Sequence, residues 1–109
     1  MKKIFICSPY RGNVRKNVRA ARSYCRKAAL LGFIPIAPHL LFTQFLDDCV
    51  ESERNLGIEA GIALMKTCES VWVFGEPSQG MLTEIALAAI CGIPVLSGKK
   101  MLRDCGVGV

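Results

Sequence analysis

Glu84 is the acid whose setting is least ordinary. It follows the stretch Gly75-Glu76-Pro77-Ser78-Gln79-Gly80-Met81-Leu82-Thr83 and precedes the apolar run Ile85-Ala86-Leu87-Ala88-Ala89. A stretch rich in Gly and Pro that runs into such a segment reads as a loop opening a helix, with Glu84 in the first turn. The helix dipole would keep a carboxylate ionised there, as a nucleophile requires. The competing reading is a capping box, in which Gly80 or Met81 starts the helix and Glu84 answers a backbone N–H. The residues alone leave both open.

A second cluster lies near the N-terminus, in Cys7-Ser8-Pro9-Tyr10-Arg11-Gly12-Asn13. It follows an apolar run and opens a helix. Helix-start N–H groups favour an anion, and Gly12 would let a ligand approach closely. Tyr10 and Arg11 add a phenol and a guanidinium. An ordinary turn built from Pro, Gly and Asn is the plainer reading. His39, the only histidine, follows Ile36-Ala37-Pro38 and is a candidate base contact or proton donor. One histidine without clustered cysteines argues against a metal site, and no cofactor is implied. Ser8 shows no Ser-His-Asp pattern.

These residues need a scaffold, and the apolar pattern supplies one. Ile4–Cys7, Phe33–Ala37, Val71–Phe74 and Ile93–Leu96 are short apolar runs of the kind that form buried strands; Pro35 puts the second near an edge or strand end. Helices are expected from Val14 to Leu31 behind an Asn13 cap, from Glu53 to Met65, and from Met81 to Cys91. In the first helix, Val14, Val18, Ala21, Cys25 and Ala28 share a face expected to meet the core; Arg15, Arg19, Arg22 and Arg26 form a neighbouring stripe. Gly57 and Gly61 lie four apart, a spacing that admits another backbone. Residues 38–52 read as a short helix or a lid. Residues 97–109 give weak signals. Trp72 and Phe74 are assigned to the core.

Strands alternating with helices define an α/β fold. The expectation is a three-layer Rossmann-like sandwich around a small, mostly parallel sheet of four to five strands, in a single domain spanning 1–109. Ligands bind such sheets beyond the carboxyl ends of the strands, which singles out the loops Ser8–Asn13, Pro38 onward and Gly75–Gly80.

Composition narrows the classes. The chain has 109 residues, 51% hydrophobic and 21% charged, so disorder is excluded. No apolar run reaches the ~20 residues of a membrane span. Only Ile4–Cys7 follow the basic start, short of the about 7–15 apolar residues of a secretory signal. The six cysteines are at least 14 residues apart, which excludes a CxxC motif. Reduced thiols in a cytoplasm are expected. Nine of the fourteen Lys and Arg fall in the first 27 residues, and the first acid is Asp47. That asymmetry suits an anionic ligand, although most of these cations read as a solvated helix face.

The segments IFICSPYRG, IAPH and VWVFGEPSQGMLTEIALAAICGIPV together resemble the nucleoside 2-deoxyribosyltransferase-like superfamily, over about residues 3–96. The resemblance implies a Rossmann-like domain, a homodimer or higher oligomer, and cleavage or transfer of the N-glycosidic bond of a (deoxy)nucleoside or nucleotide. It puts the nucleophilic carboxylate at Glu84 and its orienting tyrosine at Tyr10. Ser78, Gly80 and Met81 correspond to the loop holding the sugar's 5′ end or its phosphate. The Ser8–Gly12 turn, with Arg11, would line base and sugar. The superfamily's aspartate, which falls in the helix before the third strand, corresponds to Gly61. Asp47, Asp48 and Glu53 are the other acids within reach of the loops. Nothing in Arg103-Asp104-Cys105 clearly matches the residue that a neighbouring subunit contributes in the superfamily.

The chemistry agrees with those roles: an oxocarbenium-like state needs a carboxylate at C1′ and a second acid for the leaving base. The alternative is a binding protein of the same fold that holds a nucleotide or ADP-ribose-like ligand uncleaved, which Gly61 favours. A resemblance to lysine-decarboxylase-like phosphoribohydrolases is poorer, because Thr83 and Glu84 are adjacent. Nucleic-acid binding through the first helix is the outsider.

Overall fold

A computed structural model describes residues 1–107. Four strands and five helices alternate: β1 Lys3–Cys7, α1 Val14–Leu30, β2 Ile34–Ile36, α2 Pro38–Leu41, α3 Glu51–Met65, β3 Ser70–Val73, α4 Gln79–Ile90, β4 Val95–Ser97 and α5 Gly98–Asp104. A 3-10 turn, Phe42–Gln44, continues α2. The sheet is parallel throughout, in the order β2-β1-β3-β4. Strand order reverses direction at β1, and the carboxyl ends of β1 and β3 open there toward one side.

The three layers follow from the period-2 alternation of β1. Ile4 and Ile6 face one side, packing with Trp72, Phe74, Ala28 of α1 and Leu102 of α5. Phe5 and Cys7 face the other, packing with Val71, Met65 of α3 and Met81 and Ala88 of α4. Trp72 meets Phe33 edge-on at 5.0 Å, and Phe74 stacks on Tyr24 at 3.9 Å. Trp72 and Phe74 are in the core, as expected. β2 is an edge strand, where the missing N–H of Pro35 leaves no inner ladder bond unmade.

Several boundaries differ from the sequence expectation. α4 begins two residues earlier, because Ser78 caps it: Met81 N–H donates to Ser78 Oγ (3.3 Å), and Ser78 N–H donates to Met81 Sδ (3.4 Å). Glu84 takes no part in that cap. β4 begins at Val95, two residues later than expected. Val14 is exposed instead of facing the core. The approach at Gly57 and Gly61 is made by side chains: a Cβ at Gly61 would meet Pro38 Cβ at 3.2 Å, and one at Gly57 would meet Leu46 Cδ1 at 3.6 Å. α5 had no sequence expectation. Ser97 Oγ accepts from Lys100 N–H to start it, and Leu102 anchors it in the core. The tail residues 108–109 lie outside the described part. Among the described residues no helix is long and apolar enough to cross a membrane. All six cysteines are free thiols.

Gly98 is buried where α5 meets β3, and a Cβ there would overlap the Phe74 ring. Gly98→Ala is expected to destabilise the fold by about 2–3 kcal/mol through overpacking. Urea unfolding checks this: the midpoint falls while the slope stays constant.

Candidate active site

Three loops at the carboxyl ends of the strands enclose a cavity of about 510 Å³. Ser8, Tyr10 and Arg11 come from the β1–α1 loop, Pro38, His39 and Phe42 from α2 and its 3-10 turn, and Ser78, Gly80, Met81 and Glu84 from α4 and its cap. α3 closes the remaining side with Arg54, Gly57, Ile58 and Gly61. Two glycines turn the chain in the loops that follow β1 and β3. Gly75 turns the chain after β3 at φ +76°, and a Cβ there would press on Pro9 at 3.3 Å. Gly12 turns the chain into α1 at φ +97°.

Glu84 reaches the cavity from the second turn of α4, since the helix starts at Gln79. This corrects the first-turn expectation, and the consequence is electrostatic. The dipole's stabilisation is confined to the first turn, so burial dominates and pushes Glu84 up from 4.5 to about 7. A hydrogen bond from Cys7 works in the opposite direction. Cys7 Sγ donates to Glu84 Oε1 at 3.5 Å, and Met81 O lies 4.0 Å from the same sulfur.

Ser8 Oγ and His39 Nε2 are 3.3 Å apart. Burial lowers His39 from 6.5 to about 4, so the imidazole is neutral at ordinary pH. The Tyr10 ring meets His39 edge-on, with centroids 5.9 Å apart. Tyr10 and Glu84 share the cavity but no hydrogen bond joins them; Cys7 is the residue that holds the carboxylate.

Arg11 Nη2 donates to Asp48 Oδ2 at 3.1 Å, bridging the β1–α1 loop to the segment before α3. The pair is exposed, which limits it to about 0–1 kcal/mol. Asp48 and Glu53 line the cavity. Asp47 does not; its Oδ1 accepts from Cys49 N–H (2.9 Å), and its own N–H donates to Glu53 Oε1 (3.1 Å). Gly12 also lies outside the lining, as does Arg15, which borders a separate hollow on α1 with Arg19 and Arg22.

The sequence reading missed two residues. Arg54 lines the cavity, forms no ion pair among the described residues, and has a buried Nε with no partner. Its only sequence signal is spacing: it stands three and seven residues before Gly57 and Gly61, on one helical face. Cys7 reads from sequence as a small core hydrophobe, and nothing in the pattern aims it at Glu84.

This geometry carries a likeness to known structures. The fold is that of 2-deoxyribosyltransferases. The chain is similar to the 2-deoxyribosyltransferase of the psychrotolerant bacterium Bacillus psychrosaccharolyticus, with a TM-score of 0.66 and 20% identity, over 85% of this chain and 69% of that one. It is also similar to the 2-deoxyribosyltransferase of Leishmania mexicana, with a TM-score of 0.61 and 20% identity, over 89% of this chain and 63% of that one, under two thirds of its length. At this identity the likeness establishes the fold. No curated protein matches the sequence. By its sequence over residues 2–97, the chain belongs to the family described as a domain of unknown function, DUF7768.

Glu84 and His39 move stability in opposite directions with pH. Between 4.5 and about 7 the folded state holds more protons at Glu84 than the unfolded state does, so this contribution falls as pH rises. Between 6.5 and about 4 the unfolded state protonates His39 while the folded state does not, so this contribution falls as pH drops. Relative to wild type, Glu84→Gln should gain up to about 3 kcal/mol as pH rises across the first window, and His39→Gln a similar amount as pH falls across the second. Denaturant midpoints measured across these windows check both slopes.

Proposed function

We propose that the protein breaks the N-glycosidic bond of a (deoxy)nucleoside 5′-monophosphate, with Glu84 as the nucleophile. The observation that carries this reading is a carboxylate withdrawn from water, held at one oxygen and presented in a cavity at the carboxyl ends of β1 and β3. Ionised Glu84 attacks C1′ as the base departs, giving a glycosyl ester. Water or a second base then takes the sugar. Tyr10 and the Ser8–His39 pair form the wall beside sugar and base, and neutral His39 serves as a hydrogen-bonding group. Asp48 is the second acid in this reading, because it lines the cavity while Asp47 is tied into its own turn. Gly61 cannot be replaced by the superfamily's aspartate without displacing Pro38.

Arg54 supports a phosphorylated ligand. A guanidinium with a buried, unpartnered Nε suits an anionic oxygen, and Ser78 and Gly80 border the same cavity. Arg54 is the lining cation without an ion pair among the described residues, whereas Arg11 shares its charge with Asp48 and Arg15 borders a separate hollow. The protein works in this reading as a cytoplasmic homodimer or higher oligomer. Free thiols suit a reducing compartment, and the half-exposed Leu56, Ile58 and Leu82 of α3 and α4 give a second copy apolar surface to cover.

One observation favours the alternative of binding without cleavage: Glu84 is only partly ionised near neutral pH. Base release from deoxynucleoside monophosphates, followed by chromatography of the recovered ligand, separates the two. Base should accumulate, with kcat/KM rising as pH climbs through about 7. Glu84→Ala should lose on the order of 10³-fold or more in rate. Activity unchanged in that variant rejects the mechanism, and intact bound ligand throughout favours the binding protein. Arg54→Gln should weaken monophosphate binding roughly 10- to 100-fold while leaving the parent nucleoside nearly unaffected. Titration calorimetry of the two ligands measures that difference.

A further inference from the structure

We propose that Cys7 is a positioning residue for Glu84: its thiol fixes Oε1 of the carboxylate and leaves Oε2 to meet the sugar carbon. This rests on the reading of Glu84 as nucleophile.

The end of β1 makes Cys7 a rigid donor. Its backbone is in register with Val73, and its carbonyl accepts from Phe74 N–H at 2.9 Å. The side chain is 1% exposed, has one torsion before the sulfur, and points to the α4 side of the sheet. Sγ then falls 3.5 Å from Glu84 Oε1, with Met81 O at 4.0 Å as a second acceptor. Among the described residues Oε2 has no hydrogen-bond partner, so the two oxygens are already distinguished. Burial and the neighbouring carboxylate push the Cys7 thiol far up, so it remains S–H and can only donate.

Among the described residues no other side chain hydrogen-bonds Glu84. Ser8 pairs with His39, Tyr10 lies against the His39 ring, Arg11 holds Asp48, and Glu53 accepts from Asp47 N–H. Arg54 lines the α3 side and makes no hydrogen bond to Glu84. An S–H group is a weak donor. Here it faces an ionisable acceptor that water reaches poorly, which strengthens the bond. A purely apolar residue at this position would leave Oε1 desolvated and unpaired, favouring the protonated acid.

The test measures Glu84 directly. The side-chain carboxyl carbon of 13C-Glu-labelled protein, assigned by its loss in Glu84→Gln, is followed by NMR against pH. In Cys7→Ala the midpoint should rise, leaving roughly three- to tenfold less ionised Glu84 at a fixed pH below it. Cys7→Ser, which keeps a donor, should hold the midpoint at or below the wild-type value. A midpoint unchanged in Cys7→Ala, or raised equally in both variants, overturns the proposal. Should Cys7→Ala fail to fold, the S–H stretching band of unaltered protein decides, identified by its loss in Cys7→Ser. It should move to lower frequency as Glu84 ionises and stay fixed in Glu84→Gln; a band that ignores pH in wild type overturns the proposal. If wild-type protein releases no base from any nucleotide, the glycosidic reading fails, and these spectra still report whether Cys7 holds Glu84.

Discussion

Withdrawing a carboxylate from water is expensive unless something in the protein takes over hydration's work. At Glu84 that replacement is partial. One oxygen accepts a hydrogen bond from the thiol at the end of β1, and the other has no partner among the described residues. The result is an acid held at about 7, neither fully ionised nor safely neutral. Everything that positions this group follows from the parallel pairing of β1 with β3, which places the last residue of β1 beneath the second turn of α4. A one-residue slip in that register would turn Cys7 toward α1 and leave Glu84 without its donor.

The neighbouring His39 shows the same burial acting on a base. Desolvation disfavours the charged form in both cases, so the carboxylate is pushed up and the imidazole down. Between about 4 and about 7 the two groups therefore tend to be neutral together. The charges that persist belong to the Arg11–Asp48 pair at the rim, and to Arg54 and Glu53 on the α3 side. Arg54 makes no ion pair among the described residues, so the phosphorylated ligand proposed above would find an unpaired cation on the α3 side.

Much of this was legible in the sequence. The four apolar runs gave the parallel sheet, because a strand buried on both faces must be apolar along its whole length. The loops that follow those strands surround the cavity. Local chemistry that sequence patterns do not resolve was less legible. The start of α4 was misplaced because a methionine sulfur, in place of a Glu or Gln, completes the capping box around Ser78. That shift moved Glu84 out of the reach of the dipole and reversed the expected direction of its titration. α5 was invisible because it is short and has little periodicity; its anchor is the fit of Gly98 against Phe74, a tertiary contact. Arg54 and Cys7 carried no motif, since a helix-surface cation and a strand cysteine look alike in sequence whether or not a cavity lies beside them.

The contact between Gly61 and Pro38 constrains the chemistry further. α2 packs so closely on α3 that a side chain at 61 would have to push the Pro38 ring aside. The acid implied by the superfamily resemblance is missing by residue type, and a side chain at 61 would fit only if Pro38 gave way by a few tenths of an ångström. In the glycosidic reading proposed above, a leaving base would take its proton from another element, and neutral His39 is a poor source because an imidazole without a positive charge gives up its N–H reluctantly. In that reading Asp48 lines the cavity and is tied to Arg11 only by an exposed ion pair of at most about 1 kcal/mol, so it can leave that contact and take up the proton it would pass to the base. An incoming ligand exchanges that contact at little energetic loss, whereas moving α2 would disturb a packed helix pair. In the proposed reaction the softest interaction at the rim would therefore control the second acid.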